Sequence, residues 1–228
     1  MTITTCIFDA YGTLFDVAAA ARAAAAEPGR EDFVQHWPDV ARDWRYKQLQ
    51  YTWLRAVAGT HTNFWNVTKN GLDWALENAG IDEDLELRER LLKLYWELPA
   101  YAEVPNMLAE LKKQGMNTAI LSNGSPEMLN AATNSAGIDS LLDAVLSVES
   151  VGIYKPAAPV YDLVLRQFGC QPDNVLFVSS NGWDAACATG FGFTTAWVNR
   201  AEEPIDRLPW VPQIVLTDLV RIPEKTAL

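Results

Sequence analysis

The 228 residues predict an α/β protein whose parallel-sheet core is interrupted, soon after its first strand, by a helical insertion. Two observations carry this expectation. From about residue 99 onward, short β-rich runs alternate with helical patterns, as βαβ units do when they build a parallel sheet covered on both faces. Residues 16–98 break that alternation, with helical patterns and no convincing strand.

The first strand signal, Ile3 to Phe8, ends at Asp9 and is followed by the turn residue Gly12. Ala18 to Ala26 is strongly helix-forming and stops before Pro28-Gly29. Helical patterns follow over Asp32 to Val57 and Asn63 to Ala79, and Leu87, Leu91, Leu94, Tyr95 and Leu98 then mark one helix face. Six of the nine Trp residues (Trp37, Trp44, Trp53, Trp65, Trp74, Trp96) lie in this insertion, where a small bundle needs large side chains for a core of its own. Further strands are expected at Asn117 to Ser122, Ala144 to Val148, Asn174 to Ser179, Thr194 to Val198 and Ile214 to Thr217. Between them, helix faces are marked by Val104, Met107, Leu108 and Leu111, by Met128, Leu129 and Ala132, and by Val160, Leu163 and Val164. The division that follows is a core of residues 1–15 and 99–228 carrying an insertion of residues 16–98.

Composition excludes several function classes. Eighteen Lys and Arg against twenty-nine Asp and Glu give a formal charge of −11, which leaves no broad cationic surface for a nucleic-acid backbone. The longest uncharged stretch, Ala185 to Asn199, is too short and too polar to span a bilayer. Cys6, Cys170 and Cys187 are odd in number and far apart, without the spacing of a zinc site or a disulfide framework. With no basic and then apolar leader at the start, these features fit a cytoplasmic protein.

In an open parallel sheet, ligands bind outside the carboxyl ends of the strands, so the residues just after each strand are candidates for chemistry. They are Asp9 after the first, Ser122, Asn123 and Gly124 after the second, Lys155-Pro156 on the loop after the third, and Ser179, Ser180, Asn181 and Asp184 after the fourth. Together they bring carboxylates, a cation and small hydrogen-bonding groups to one edge.

In this order the segments Asp9-Ala10-Tyr11-Gly12-Thr13, Ser122-Asn123-Gly124, Lys155-Pro156 and Ser179-Ser180-Asn181-Gly182-Trp183-Asp184 resemble the four motifs of the haloacid dehalogenase superfamily. The detailed resemblance is to the L-2-haloacid dehalogenases and extends to the insertion, where Trp44 to Leu54 is similar to that family's active-site cap helix. It implies a Rossmann-like core with a helical cap, hydrolytic removal of halide from a short 2-haloacid, no cofactor, and a homodimer.

The chemistry is consistent with the residues themselves. A carboxylate can displace halide from carbon and form an ester that water later cleaves, which makes Asp9 the candidate nucleophile. Lys155 would hold Asp9 ionised, and Thr13 can orient the same carboxylate or simply start a turn. The substrate is itself an anion, and Ser122 with the backbone N–H of Asn123 suits its carboxylate. The resemblance assigns Arg45, Asn123 and Trp183 to the departing halide, and Ser179, Asn181 and Asp184 to the water of the second step. Tyr161 matches a functional family position and also reads as a core tyrosine. Tyr11, Leu49, Phe64 and Trp183 are candidates for the apolar wall around the substrate.

Two departures separate the chain from the superfamily's phosphatases. Tyr11 stands where they carry an acid for the leaving group, and Ser180 stands where they carry a further carboxylate for Mg²⁺. No metal is therefore expected. A phosphatase, or an inactive binding protein of the same fold, are the alternatives, since a fold does not by itself establish activity. His36 and His61 lie outside the motif segments, which leaves a histidine-based triad poorly supported.

Overall fold

The computed structural model describes residues 2–227. Six parallel strands, β1 (Thr5–Phe8), β2 (Asn117–Ser122), β3 (Ala144–Ser147), β4 (Val175–Ser179), β5 (Thr194–Val198) and β6 (Ile214–Leu216), form one sheet in the order β3-β2-β1-β4-β5-β6. All of β1 and β4 and all but the first residue of β2 are buried, as expected of strands covered on both faces. The sequence order reverses between β1 and β4, so the crevice beyond their carboxyl ends is the position where an open α/β sheet takes a ligand.

Helices α1 (Ala19–Ala25), α2 (Trp37–Ala58), α3 (Phe64–Asn78) and α4 (Leu85–Trp96) form the inserted cap. Helices α5 (Val104–Lys113), α6 (Pro126–Ser135), α7 (Ala158–Phe168) and α8 (Gly182–Phe191) belong to the core. Both crossings between cap and core are stapled by backbone. The N–H of Asp16 donates to Pro99 O and that of Tyr101 to Leu14 O, flanking a bridge between Phe15 and Ala100.

Local sequence accounts for the cap elements. Asn63 caps α3 by accepting from Asn66 N at 2.9 Å, and Asp84 caps α4 by accepting from Leu87 N at 2.8 Å. Gly71 lets α2 and α3 approach closely, since a Cβ there would lie 3.2 Å from Gln48 N and 3.3 Å from Trp44 O. Two expectations are corrected. The pattern read from Asp32 is a separate short turn at Glu31–Phe33, and α2 begins at Trp37 with Pro38 in its first turn, where a missing N–H costs nothing. Leu163 is only half-buried on α7, where Tyr161 is fully buried beside Val160 and Val164. Among the described residues, no helix is long and apolar enough to cross a membrane.

Candidate active site

Asp9 follows β1 at the centre of the sheet, and its side chain is 9% exposed. Lys155 Nζ donates to Asp9 Oδ1 at 3.1 Å and to Asp184 Oδ2 at 2.8 Å. Burial disfavours the Lys155 charge, but the Asp184 and Asp9 carboxylates outweigh it and hold the ammonium above the ordinary lysine pKa of 10.5. The other oxygen of Asp184 accepts from Tyr161 OH at 2.7 Å. Burial and the neighbouring Asp184 keep that phenol protonated, well above its ordinary pKa. Burial also pushes the Asp184 carboxyl up, against the pull of Lys155.

The second oxygen of Asp9 is held differently. Oδ2 accepts from Asn181 Nδ2 at 3.0 Å and from Thr13 Oγ1 at 3.1 Å. Ser180 N–H donates into Thr13 Oγ1 at 2.8 Å, which fixes the hydroxyl at the turn. Gly12 has φ +88°, a conformation glycine adopts without strain, and a Cβ there would meet Ser180 Oγ at 3.1 Å.

From the cap, Arg45, Leu49 and Trp53 share one face of α2 and line the mouth of the site with Trp183, Tyr101 and Arg200. Arg45 Nη2 donates to Tyr11 O at 2.9 Å and to Asn181 Oδ1 at 3.2 Å, so the cap is tied directly to the nucleophile turn. Trp183 meets Trp53 edge-on at 5.3 Å, and its buried indole N–H has no partner among the described residues. Tyr11 stacks on Phe64 at 5.7 Å and on Tyr95 at 5.6 Å, and its buried OH is likewise without a partner. Its ring explains Gly124, where a Cβ would come within 2.8 Å of Tyr11 Cε2.

A family model described as haloacid dehalogenase-like hydrolase matches residues 3–192. The chain belongs to that family. This dehalogenase-like hydrolase is 40% identical to an (S)-2-haloacid dehalogenase of Pseudomonas sp. strain YL, over 95% of this chain and 91% of that one. Its fold superposes on a crystal structure of a dehalogenase with intermediate complex at a TM-score of 0.93, with 35% identity over 100% of this chain and 98% of the other. The L-2-haloacid dehalogenase of Xanthobacter autotrophicus, with chloropropionic acid covalently bound, superposes at 0.83 with 35% identity over 97% of each chain.

The hydrolase brings Asp9, Thr13, Lys155, Asn181, Asp184 and Tyr161 into one hydrogen-bonded cluster, with Arg45 joined to it through Asn181. Ser122 and Ser179 stand apart from the Asp9 contacts. Ser122 Oγ accepts from Gly124 N at 3.0 Å and Ser179 Oγ from Asn181 N at 3.1 Å, so each hydroxyl shapes the turn that follows its strand. Asn123 Oδ1 accepts from Lys155 N at 3.0 Å and holds the lysine loop against the end of β2. Sequence reasoning missed Gln48, Tyr95 and Glu149. Glu149 accepts from Phe64 N at 3.0 Å and pairs with His61 Nε2 at 3.0 Å, joining the core to the start of α3. Gln48 lies in the cap segment with no role of its own marked there, Tyr95 reads only as a packing residue of an apolar helix face, and Glu149 is an ordinary polar residue whose partners are distant in sequence.

Proposed function

We propose that the chain hydrolyses short L-2-haloacids to D-2-hydroxy acids and halide through an ester on Asp9. The supporting observation is the unequal treatment of the two Asp9 oxygens. Oδ1 has a single donor, Lys155, whereas Oδ2 has two, Thr13 and Asn181. A carboxylate oxygen has two lone pairs, so Oδ1 keeps one free of donors and attacks C2 with it from the side opposite the halide. Oδ2 becomes the ester carbonyl oxygen, already placed between two donors that stabilise the oxyanion when water adds.

Arg45 and the unpartnered N–H of Trp183 supply positive edges for the halide, and Asn123 completes that cradle in our reading. Ser122 and the Asn123 backbone face the substrate carboxylate, and Tyr11, Leu49, Phe64 and Trp183 wall its apolar part. In the second half-reaction, Asn181 and Asp184 place the water and Ser179 holds the Asn181 turn. The domain division proposed is residues 1–15 and 99–228 against 16–98, supported by the backbone pairing of Asp16 with Pro99. Exposed Tyr46, Leu54 and Val57 along α2 support a homodimer, and three free thiols fit the cytoplasm.

Backside attack inverts C2, and attack of water on the ester carbonyl leaves C2 untouched. L-2-chloropropionate is thus expected to yield D-lactate, read by chiral chromatography with halide release. L-Lactate as the product would overturn the reading.

The donor set also carries an expectation about metal. Asp9 and Asp184 both direct an oxygen at Lys155 Nζ, and Ser180 offers a hydroxyl where a third carboxylate would be needed. Dialysis against EDTA is expected to leave halide release unchanged, and Mg²⁺ to add nothing. Loss on chelation that Mg²⁺ restores would contradict this account of the site.

A further inference from the structure

Behind Arg45 lies a buried polar chain that the reaction as described does not use. Arg45 Nη1 donates to Gln48 Oε1 at 3.1 Å, one turn further along α2. Gln48 Nε2 donates to Thr68 Oγ1 on α3 at 2.8 Å, and Tyr95 OH on α4 lies 3.1 Å from Gln48 Nε2 and 3.2 Å from Oε1. Gln48, Thr68 and Tyr95 are 1%, 0% and 3% exposed, so none of these groups has water to fall back on.

The direction of the chain is fixed from its far end. Thr68 Oγ1 lies 2.8 Å from Phe64 O, which can only accept, so the Thr68 proton is committed there. The Thr68 oxygen must then accept from the Gln48 amide, which orients Nε2 toward α3 and Oε1 toward Arg45. Close approach of α2 and α3 at Gly71 holds this register. Arg45 donates twice from Nη2 and once from Nη1, so one N–H on Nη1 and that on Nε make no hydrogen bond among the described residues.

We infer that Gln48, held by Thr68 and Tyr95, is a positioning residue that aims the uncommitted N–H groups of Arg45 at the departing halide. The inference rests on the reading of Arg45 as a halide ligand. A neutral acceptor suits the task, because it orients the guanidinium without cancelling its charge. A carboxylate at the same place would compete with the halide for that charge.

Chloride and bromide serve as product inhibitors for the test, with D-lactate as a control that does not call on the halide cradle. Gln48→Leu is expected to raise the inhibition constants for both halides about tenfold, as loss of one charge-assisted hydrogen bond does. It is also expected to lower kcat more for 2-chloropropionate than for 2-iodopropionate, and to leave D-lactate inhibition unchanged. Gln48→Glu should lose more halide affinity than Gln48→Leu. Tyr95→Phe keeps the ring stacked on Tyr11 and removes only the hydroxyl, so it reads the same effect, in smaller measure, should Gln48→Leu fold poorly. Unchanged halide inhibition in folded Tyr95→Phe and Gln48→Leu, with Arg45→Lys raising the constants, would overturn the positioning role alone. Unchanged halide inhibition in Arg45→Lys would overturn the halide reading of Arg45 and the inference with it.

Discussion

Asp9→Ala is expected to lose at least about 10⁴-fold in halide release, because no neighbouring side chain can form the ester in its place. The protein should nevertheless remain folded. Lys155 keeps Asp184 at 2.8 Å as a counter-charge, so removing Asp9 leaves a matched buried pair. Halide release within about tenfold of wild type would remove Asp9 from the mechanism.

Lys155→Ala is expected to fail in both respects. Its side chain is 1% exposed and stands between two carboxylates, so its loss leaves Asp9 and Asp184 buried side by side without their shared counter-charge. Turnover should fall by about 10³-fold or more, and stability by about 3–5 kcal/mol, as when one partner of a buried ion pair is deleted. Thermal unfolding and single-turnover halide release separate the two effects. The pH dependence has a defined sign. Because the Lys155 pKa is raised on folding, its contribution to stability is complete below the ordinary lysine value of 10.5 and is lost as pH rises through the higher folded value. Activity of Lys155→Ala equal to wild type across neutral pH would reject this role.

Much of the core was legible because its chemistry sits where secondary structure changes. Asp9, Asn123, Lys155 and Asn181 follow strands or lie in the loops beyond them, and parallel-sheet geometry gathers such residues whatever their separation in sequence. The strand ends were read to within two residues, since the apolar runs at Asn117 to Ser122 and Thr194 to Val198 stop at polar or turn residues. The sequence pattern starts α2 too early because Asp32 and Phe33 share a helical pattern with the residues after them, while Pro38 sets the true first turn. Ser122 and Ser179 each accept from the backbone two residues on, a turn-shaping contact that their place after a strand does not show and that leaves the hydroxyl proton free to donate. The spacing marks Tyr95 as a packing residue but not its hydroxyl contact, and Gln48 reads as an ordinary solvated polar residue of a helix. Only the packing of α2 on α3 at Gly71 and the tie from α4 reveal Gln48 as buried.

The covalent role of Asp9 is tested most directly by a single turnover in ¹⁸O-water with enzyme in excess over L-2-chloropropionate. If Asp9 Oδ1 attacks C2, the hydroxyl oxygen of the first product comes from the enzyme and the solvent oxygen enters the Asp9 carboxylate during hydrolysis. Mass spectrometry should then find largely unlabelled D-lactate and the label in the peptide containing Asp9. Lactate labelled in the first turnover, with an unlabelled Asp9 peptide, would mean that water attacks C2 directly and would contradict the account.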